Sequence, residues 1–217
     1  VRPPVRRVAE AGAEGRERRR LTAAVGGVAG ELDDGEIRNV SVSGTVTGSS
    51  VTIGAEPGAL VGGIGGVVGY IDGGGSIKQS ETSATIRGEA QVGGIIGNPA
   101  TGTVEIGGSK ATGSVKGTKL NYDGGIWPNG QTVGGLVGGG VEADLTITES
   151  YATATTTGTE KVGGLVGEAP PDLTVKRSYS TADITTTERD EANDDGRMNE
   201  IGGLVGAGAD VQISNSY

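Results

Sequence analysis

The sequence lacks three residue types on which cores and sites are often built. Among its 217 residues there is no Phe, no His and no Cys, and there is a single Trp. Without Cys a disulfide scaffold is excluded, and without His as well the usual zinc ligands are missing. The Ser-His-Asp and Cys-His arrangements for nucleophilic catalysis cannot be assembled from this chain either. Aromatic residues make up only 3%, so a core must consist of small and β-branched aliphatic side chains.

Glycine, in contrast, is present in large excess. The chain has 44 glycines, about three times the usual share of roughly 7%. They do not recur at every third residue, which excludes a collagen helix. The excess therefore needs another structural explanation.

The charge of the chain is acidic and unevenly distributed. The formal net charge is −9, although residues 1–20 contain seven Arg and only three Glu. An acidic body argues against nucleic acid as a partner, because phosphate binding needs clustered Lys and Arg. Acidity favours solubility and is also expected of proteins from salt-rich habitats. The longest run of low polarity, residues 59–71, is too short to span a bilayer, so no membrane insertion is expected.

A glycine-rich hexapeptide recurs six times along the chain. Its pattern is apolar-Gly-Gly-apolar-small-Gly, and its copies begin at Val25, Ile64, Val92, Val133, Val162 and Ile201. The intervals between copies are 39, 28, 41, 29 and 39 residues, so long and short spacings alternate. A second block follows each copy and begins at Ile37, Ile77, Ile106, Ile147, Val175 and Ile213. A repeat of this length with a strand-like pattern predicts a solenoid.

The second block alternates between small or apolar and polar residues, as a strand with one buried face does. Its even positions 6, 8 and 10 are mostly apolar or small, and positions 7 and 9 are mostly Ser or Thr. We predict an all-β fold, a right-handed parallel β-helix of about six coils. Long loops over residues 47–63, 116–132 and 185–200 should leave the same side on alternate coils. The solenoid would span residues 25–217, after a basic tail or cap over residues 1–24. It stops in mid-repeat and leaves an open sheet edge, which predicts either a longer intact polypeptide or a partner that covers this edge.

Two surfaces of this solenoid are candidate binding sites. One is an outward hydroxyl ladder, which comprises Ser43, Thr45, Ser83, Thr85, Thr112, Ser114, Thr153, Thr155 and Thr181. Ranks of hydroxyls on a flat face suggest ice binding as an alternative function. The other surface is the second long loop, in which Tyr122, Trp127 and Asn129 combine exposed rings and an amide that could contact a ligand.

The sequence contains three further patterns of tyrosine and aspartate residues. Tyr151, Tyr179 and Tyr217 occupy position 5 of successive blocks and should stack. Asp34, Asp144, Asp172 and Asp210 each precede a second block by three residues, which is best explained by turns but leaves Ca²⁺ binding open. The adjacent pairs Asp33/Asp34 and Asp194/Asp195 are the only basis for a polysaccharide-acting enzyme. No catalytic, cofactor or other metal site is predicted.

The paired signature, VGGLVG followed by ITESYATA or VKRSYSTA, resembles the GLUG-motif repeats of bacterial and archaeal surface proteins, including adhesins. The resemblance extends over about residues 25–217, and it is weaker in the first three copies, where Ser41, Glu81 and Lys110 replace the tyrosines. It implies a non-catalytic, structural or adhesive β-helical segment outside the cell or on its surface. The partners it implies are a glycan or a surface protein of a host or neighbouring cell.

Overall fold

The computed structural model describes residues 24–48, 62–89, 91–118, 131–140, 142–187 and 199–217. All regular structure in these ranges is β-strand, and every strand pairs in parallel with its equivalents in neighbouring repeats. Each repeat forms one coil, so the predicted parallel β-helix of six coils is confirmed. The three predicted long loops lie mostly outside the described residues.

The hexapeptides begin the first of four strand ladders. The first residues of all six copies are direct partners, from Val25 through to Ile201, which is the register that the repeat predicts. The strands of ladder 1 are Val25–Gly26, Ile64–Gly65, Gln91–Gly93, Thr132–Gly134, Lys161–Gly163 and Glu200–Gly202.

Ladder 2 joins the end of each hexapeptide to the start of the second block. In the first two coils it is one continuous strand, and in the later coils a break divides it into two. The continuous strands are Ala29–Arg38 and Val68–Lys78. The divided strands are Ile96–Pro99 with Thr103–Gly107, Val137–Gly139 with Asp144–Thr148, Val166–Glu168 with Asp172–Lys176, and Val205–Ala207 with Val211–Ser214.

Ladders 3 and 4 are formed by the rest of the second block. Ladder 3 consists of Ser41–Val42, Glu81–Thr82, Lys110–Ala111, Tyr151–Ala152 and Tyr179–Ser180. Ladder 4 consists of Thr45–Gly48, Thr85–Gly88, Ser114–Gly117, Thr155–Gly158 and Ile184–Thr186. Coils 1 and 2 contain four strands and coils 3 to 5 contain five, because the hexapeptide contributes strands on both sides of its own turn.

Aliphatic side chains stacked from coil to coil fill the interior. The largest fully buried side chains are all Ile or Leu, and they include Ile71, Leu136, Leu145 and Leu165. Burying such a side chain contributes about 1.5–3 kcal/mol, and here much of that burial comes from the adjacent coil. The last coil shows this dependence, because its Ile201 is 53% exposed.

The hexapeptide glycines are explained by close backbone packing. A Cβ on Gly134 would lie 1.9 Å from the carbonyl oxygen of Val137 and 2.7 Å from the backbone nitrogen of Gly167 in the next coil. Both contacts are with backbone, which has no rotamers to move aside. The glycine excess therefore marks the places where strands of ladders 1 and 2 approach without side chains between them.

A left-handed residue turns the chain between ladders 2 and 3 in every coil. This residue is the third of each second block, and its φ angle lies between 47° and 57° at Asn39, Gln79, Gly108, Glu149, Arg177 and Asn215. Five of the six are not glycine, although this conformation is costly for most side chains. We call this turn the αL corner.

The residue after the αL corner forms a buried serine ladder, defined as Ser80, Ser109, Ser150, Ser178 and Ser216. The backbone N–H of each of the first four serines donates to the hydroxyl of the serine in the next coil, at 3.1–3.2 Å. Each hydroxyl in turn donates to the carbonyl oxygen two residues earlier, at 2.7–3.1 Å. Ser80, Ser109, Ser150 and Ser178 are at most 1% exposed. The ladder therefore supplies a hydrogen-bond partner at a buried corner, where an unpaired group would be costly.

Candidate ligand-binding surface

The structure places the predicted hydroxyl ladder on the outside of the solenoid. Position 7 side chains, from Ser43 to Thr181, are exposed in all five coils, and position 9 side chains are exposed or half-exposed. Thr45, Thr85, Ser114 and Thr155 are consecutive partners in ladder 4. The hydroxyls therefore form two ranks repeated at the coil spacing of about 4.8 Å.

The predicted loop contacts Tyr122, Trp127 and Asn129 lie outside the described residues, as does the pair Asp194/Asp195. Of the aspartate column, Asp144 and Asp172 are strand partners, whereas Asp34 and Asp210 have φ angles of 47° and 54°. The column thus has more than one backbone conformation. In the described part of the chain, no group of three or more acidic side chains is placed to hold a metal ion. Those same ranges contain no helix long and apolar enough to cross a membrane.

The predicted stack of tyrosines is confirmed. The ring centroids of Tyr151 and Tyr179 are 4.9 Å apart with an interplanar angle of 5°, and those of Tyr179 and Tyr217 are 5.3 Å apart at 11°. The rings repeat at nearly the coil spacing because the three residues occupy one position of successive coils. Tyr217 is 75% exposed.

Replacing the central ring of this stack should destabilise the three coils that carry it. Tyr179→Ala removes two stacking contacts, each worth about 0.5–1.5 kcal/mol, so we expect a loss of about 2 kcal/mol in the free energy of unfolding. Urea unfolding followed by circular dichroism would measure this. Tyr179→Phe keeps the ring and should differ from the wild type by less than about 0.5 kcal/mol. Equal losses in both variants would show that the hydroxyl, and not stacking, is important.

In coils 1 to 3, position 5 of the second block is occupied by Ser41, Glu81 and Lys110 in place of tyrosine, and these residues form a polar network. Lys110 Nζ lies 2.6 Å from Glu81 Oε2, and the Ser41 hydroxyl donates to Glu81 Oε1 at 3.0 Å. Hydrogen bonds from Lys110 and Ser41 lower the pKa of Glu81, and the hydrogen bond to Glu81 raises the pKa of Lys110. Both groups are therefore held in their charged forms at neutral pH, and the charges balance one another.

These six residues form one continuous strip, which we call the corner strip: Ser41, Glu81, Lys110, Tyr151, Tyr179 and Tyr217. Lys110 is the direct ladder partner of Tyr151, so the polar and aromatic halves meet between coils 3 and 4. Only the aromatic half was predicted from the sequence. The polar residues were interpreted as departures from the repeat, although opposite charges at adjacent coil positions are a signal of pairing.

Comparison with known proteins supports the repeat and the fold. The model of the GLUG motif matches residues 22–47, which contain the first hexapeptide and the whole of the second block that follows it. No curated protein sequence matches the chain significantly. Among solved structures, one described as "a putative immunoglobulin A1 protease from Bacteroides ovatus" aligns with a TM-score of 0.56 and 18% sequence identity.

That alignment covers 88% of this chain but only 56% of the Bacteroides ovatus chain, so the protein spans little more than half the length of its structural neighbour. At this level of identity the likeness concerns the fold. The six aligned hexapeptides, the parallel ladders and these matches lead to one conclusion: the chain is a parallel β-helix that carries a GLUG motif at residues 22–47.

Proposed function

We propose that this chain is a structural and adhesive segment of a secreted or cell-surface protein, which displays binding side chains and performs no catalysis itself. The observation that carries the proposal is the unbroken register of ladder 1. Equivalent residues of successive coils are direct partners, from Val25 to Ile201 in ladder 1. A solenoid of this kind is a stiff support whose surface features repeat along one axis.

Two features favour display as its role. The outward hydroxyl ranks and the corner strip both present the same side-chain position in consecutive coils, so a partner can contact several coils at once. The GLUG motif, which resembles repeats of bacterial and archaeal surface proteins, is in the first coil. Tyr122, Trp127 and Asn129 remain predicted ligand contacts in the second long loop.

The location outside the cell can be tested directly. Antibodies raised against the purified chain should label intact cells of the source organism, or the protein should be recovered from the culture medium. A cytoplasmic enzyme detected in the same samples is the control for lysis. Labelling that requires permeabilised cells, with no protein in the medium, would contradict the proposal.

A further inference from the structure

A groove lies along the polar half of the corner strip, where coils 1, 2 and 3 adjoin. Its volume is about 370 Å³ and it is widely open to solvent, so a ligand would lie along the surface and would not be enclosed. The residues that line it include Asn39, Ser41, Gln79, Glu81, Gly108 and Lys110. The lining ends at Lys110, the ladder partner of Tyr151, so the groove stops where the tyrosine stack begins.

The αL corner contributes two amide residues to the lining of this groove. Asn39 and Gln79 occupy the left-handed position of coils 1 and 2, with φ angles of 56° and 50°, and both are exposed. Their backbone N–H groups are already used, since they donate to the carbonyl oxygens of Lys78 and Gly107. The side-chain amides offer both donors and acceptors to a ligand.

The electrostatics of the groove favour a neutral ligand. Its acid and base, Glu81 and Lys110, are paired with one another at 2.6 Å, so neither charge is left for an ion. The Ser41 hydroxyl is held against Glu81 in advance of binding. A neutral ligand with many hydroxyl groups can donate to and accept from these groups without separating the ion pair.

The spacing of the groups favours a linear ligand. Coils repeat at about 4.8 Å, which is close to the length of one pyranose unit in an extended chain. Asn39 with Ser41 in coil 1 and Gln79 with Glu81 in coil 2 each supply two polar side chains, and Lys110 supplies one in coil 3, where the αL position is Gly108. We propose that the groove binds a short neutral oligosaccharide that lies along the solenoid axis, with one sugar unit for each coil. This inference rests on the proposed display function and gives it a ligand class.

The test is isothermal calorimetry, in which the chain is titrated with neutral linear di- to tetrasaccharides of glucose, galactose and N-acetylglucosamine, and with anionic oligosaccharides of the same lengths. The variant Asn39→Gly/Gln79→Gly removes both amides, and Gly108 shows that this position accepts glycine. Losing hydrogen bonds from two side chains should weaken binding at least about tenfold. The matched control is Glu149→Gly, which changes the same position in coil 4, at a φ angle of 51° and away from the groove. Circular dichroism of each variant confirms that it is folded.

Neutral oligosaccharide binding that the double variant loses and Glu149→Gly keeps would support the proposal. Equal binding by the double variant and the wild type would overturn it, as would wild-type binding to anionic oligosaccharides alone, or to none of the panel. None of these three results bears on surface labelling of the source cells, so failure of the groove and failure of the display function are distinguishable.

Discussion

Gly135→Ala should abolish cooperative folding of the central coils. A Cβ on Gly135 would lie 2.1 Å from the carbonyl oxygen of Gly164 in the next coil and 2.6 Å from the Ala152 side chain. The carbonyl lies directly after ladder 1, and the N–H of Gly135 donates to the neighbouring carbonyl oxygen of Gly163, so relief requires coils 4 and 5 to move apart and lose hydrogen bonds. We expect a loss of about 4 kcal/mol or more, since the clash combines overpacking with broken backbone pairing. Thermal unfolding followed by circular dichroism would measure it.

The chain contains a matched control for this substitution. Gly203 is the third hexapeptide residue of the sixth coil, as Gly135 is of the fourth, but a Cβ there would have no neighbour within 4 Å. Gly203→Ala should therefore change the free energy of unfolding by less than about 0.5 kcal/mol. Similar losses in the two variants would mean that these glycines are required for their backbone conformation and that packing between coils is secondary.

Ser150→Ala should give the second largest effect, because it interrupts the serine ladder. The substitution leaves the buried N–H of Ser109 without its acceptor. The carbonyl oxygen of Thr148 loses the hydrogen bond from the Ser150 hydroxyl at 2.7 Å but still accepts from the N–H of Gly108. A buried polar group left unpaired costs about 1–3 kcal/mol, and a lost hydrogen bond costs about 1 kcal/mol. We therefore expect unfolding at lower urea concentration, with a loss of about 3 kcal/mol from the unpaired N–H and the lost hydrogen bond together.

Ser216→Ala is the corresponding control in the same ladder. Its hydroxyl also accepts from the previous coil and donates to a carbonyl, but it lies in the last, more exposed coil. Water can replace the lost partners there, so we expect a loss below about 1 kcal/mol. If Ser150→Ala proved as mild as Ser216→Ala, the ladder would contribute little to stability, and the inference from its burial would be wrong.

The coil architecture was predictable because its signal is periodic. The hexapeptide positions from Val25 to Ile201 fix which residues are partners, and alternation within the second block separates the buried face from the hydroxyl face. The tyrosine stack followed from the same alignment. Repetition thus converts a local pattern into long-range contacts, which a single copy of the motif could not do.

The αL corner and the serine ladder were not predicted, for reasons of chemistry. The corner is occupied by residues as different as Gln79, Glu149 and Arg177. The aligned repeats therefore have no consistent glycine or asparagine at this position that would predict a left-handed turn. Serine is common in turns and usually exposed, so its burial at Ser109 and Ser150 gives no hydropathy signal. The polar groove was missed because it depends on how different side chains from three coils lie together.

The alternation of long and short intervals gives the molecule a natural unit of growth. Two coils, one with a long junction and one with a short junction, form a block of 67 to 70 residues. Duplication of such a block adds about 9.6 Å of length at the usual strand spacing, keeps the new loop on the same side and reuses existing contacts between coils. Duplication of the gene segment that encodes one block would therefore lengthen this protein by two coils without a new type of contact between coils. Deletion of one block would shorten it by two coils in the same way.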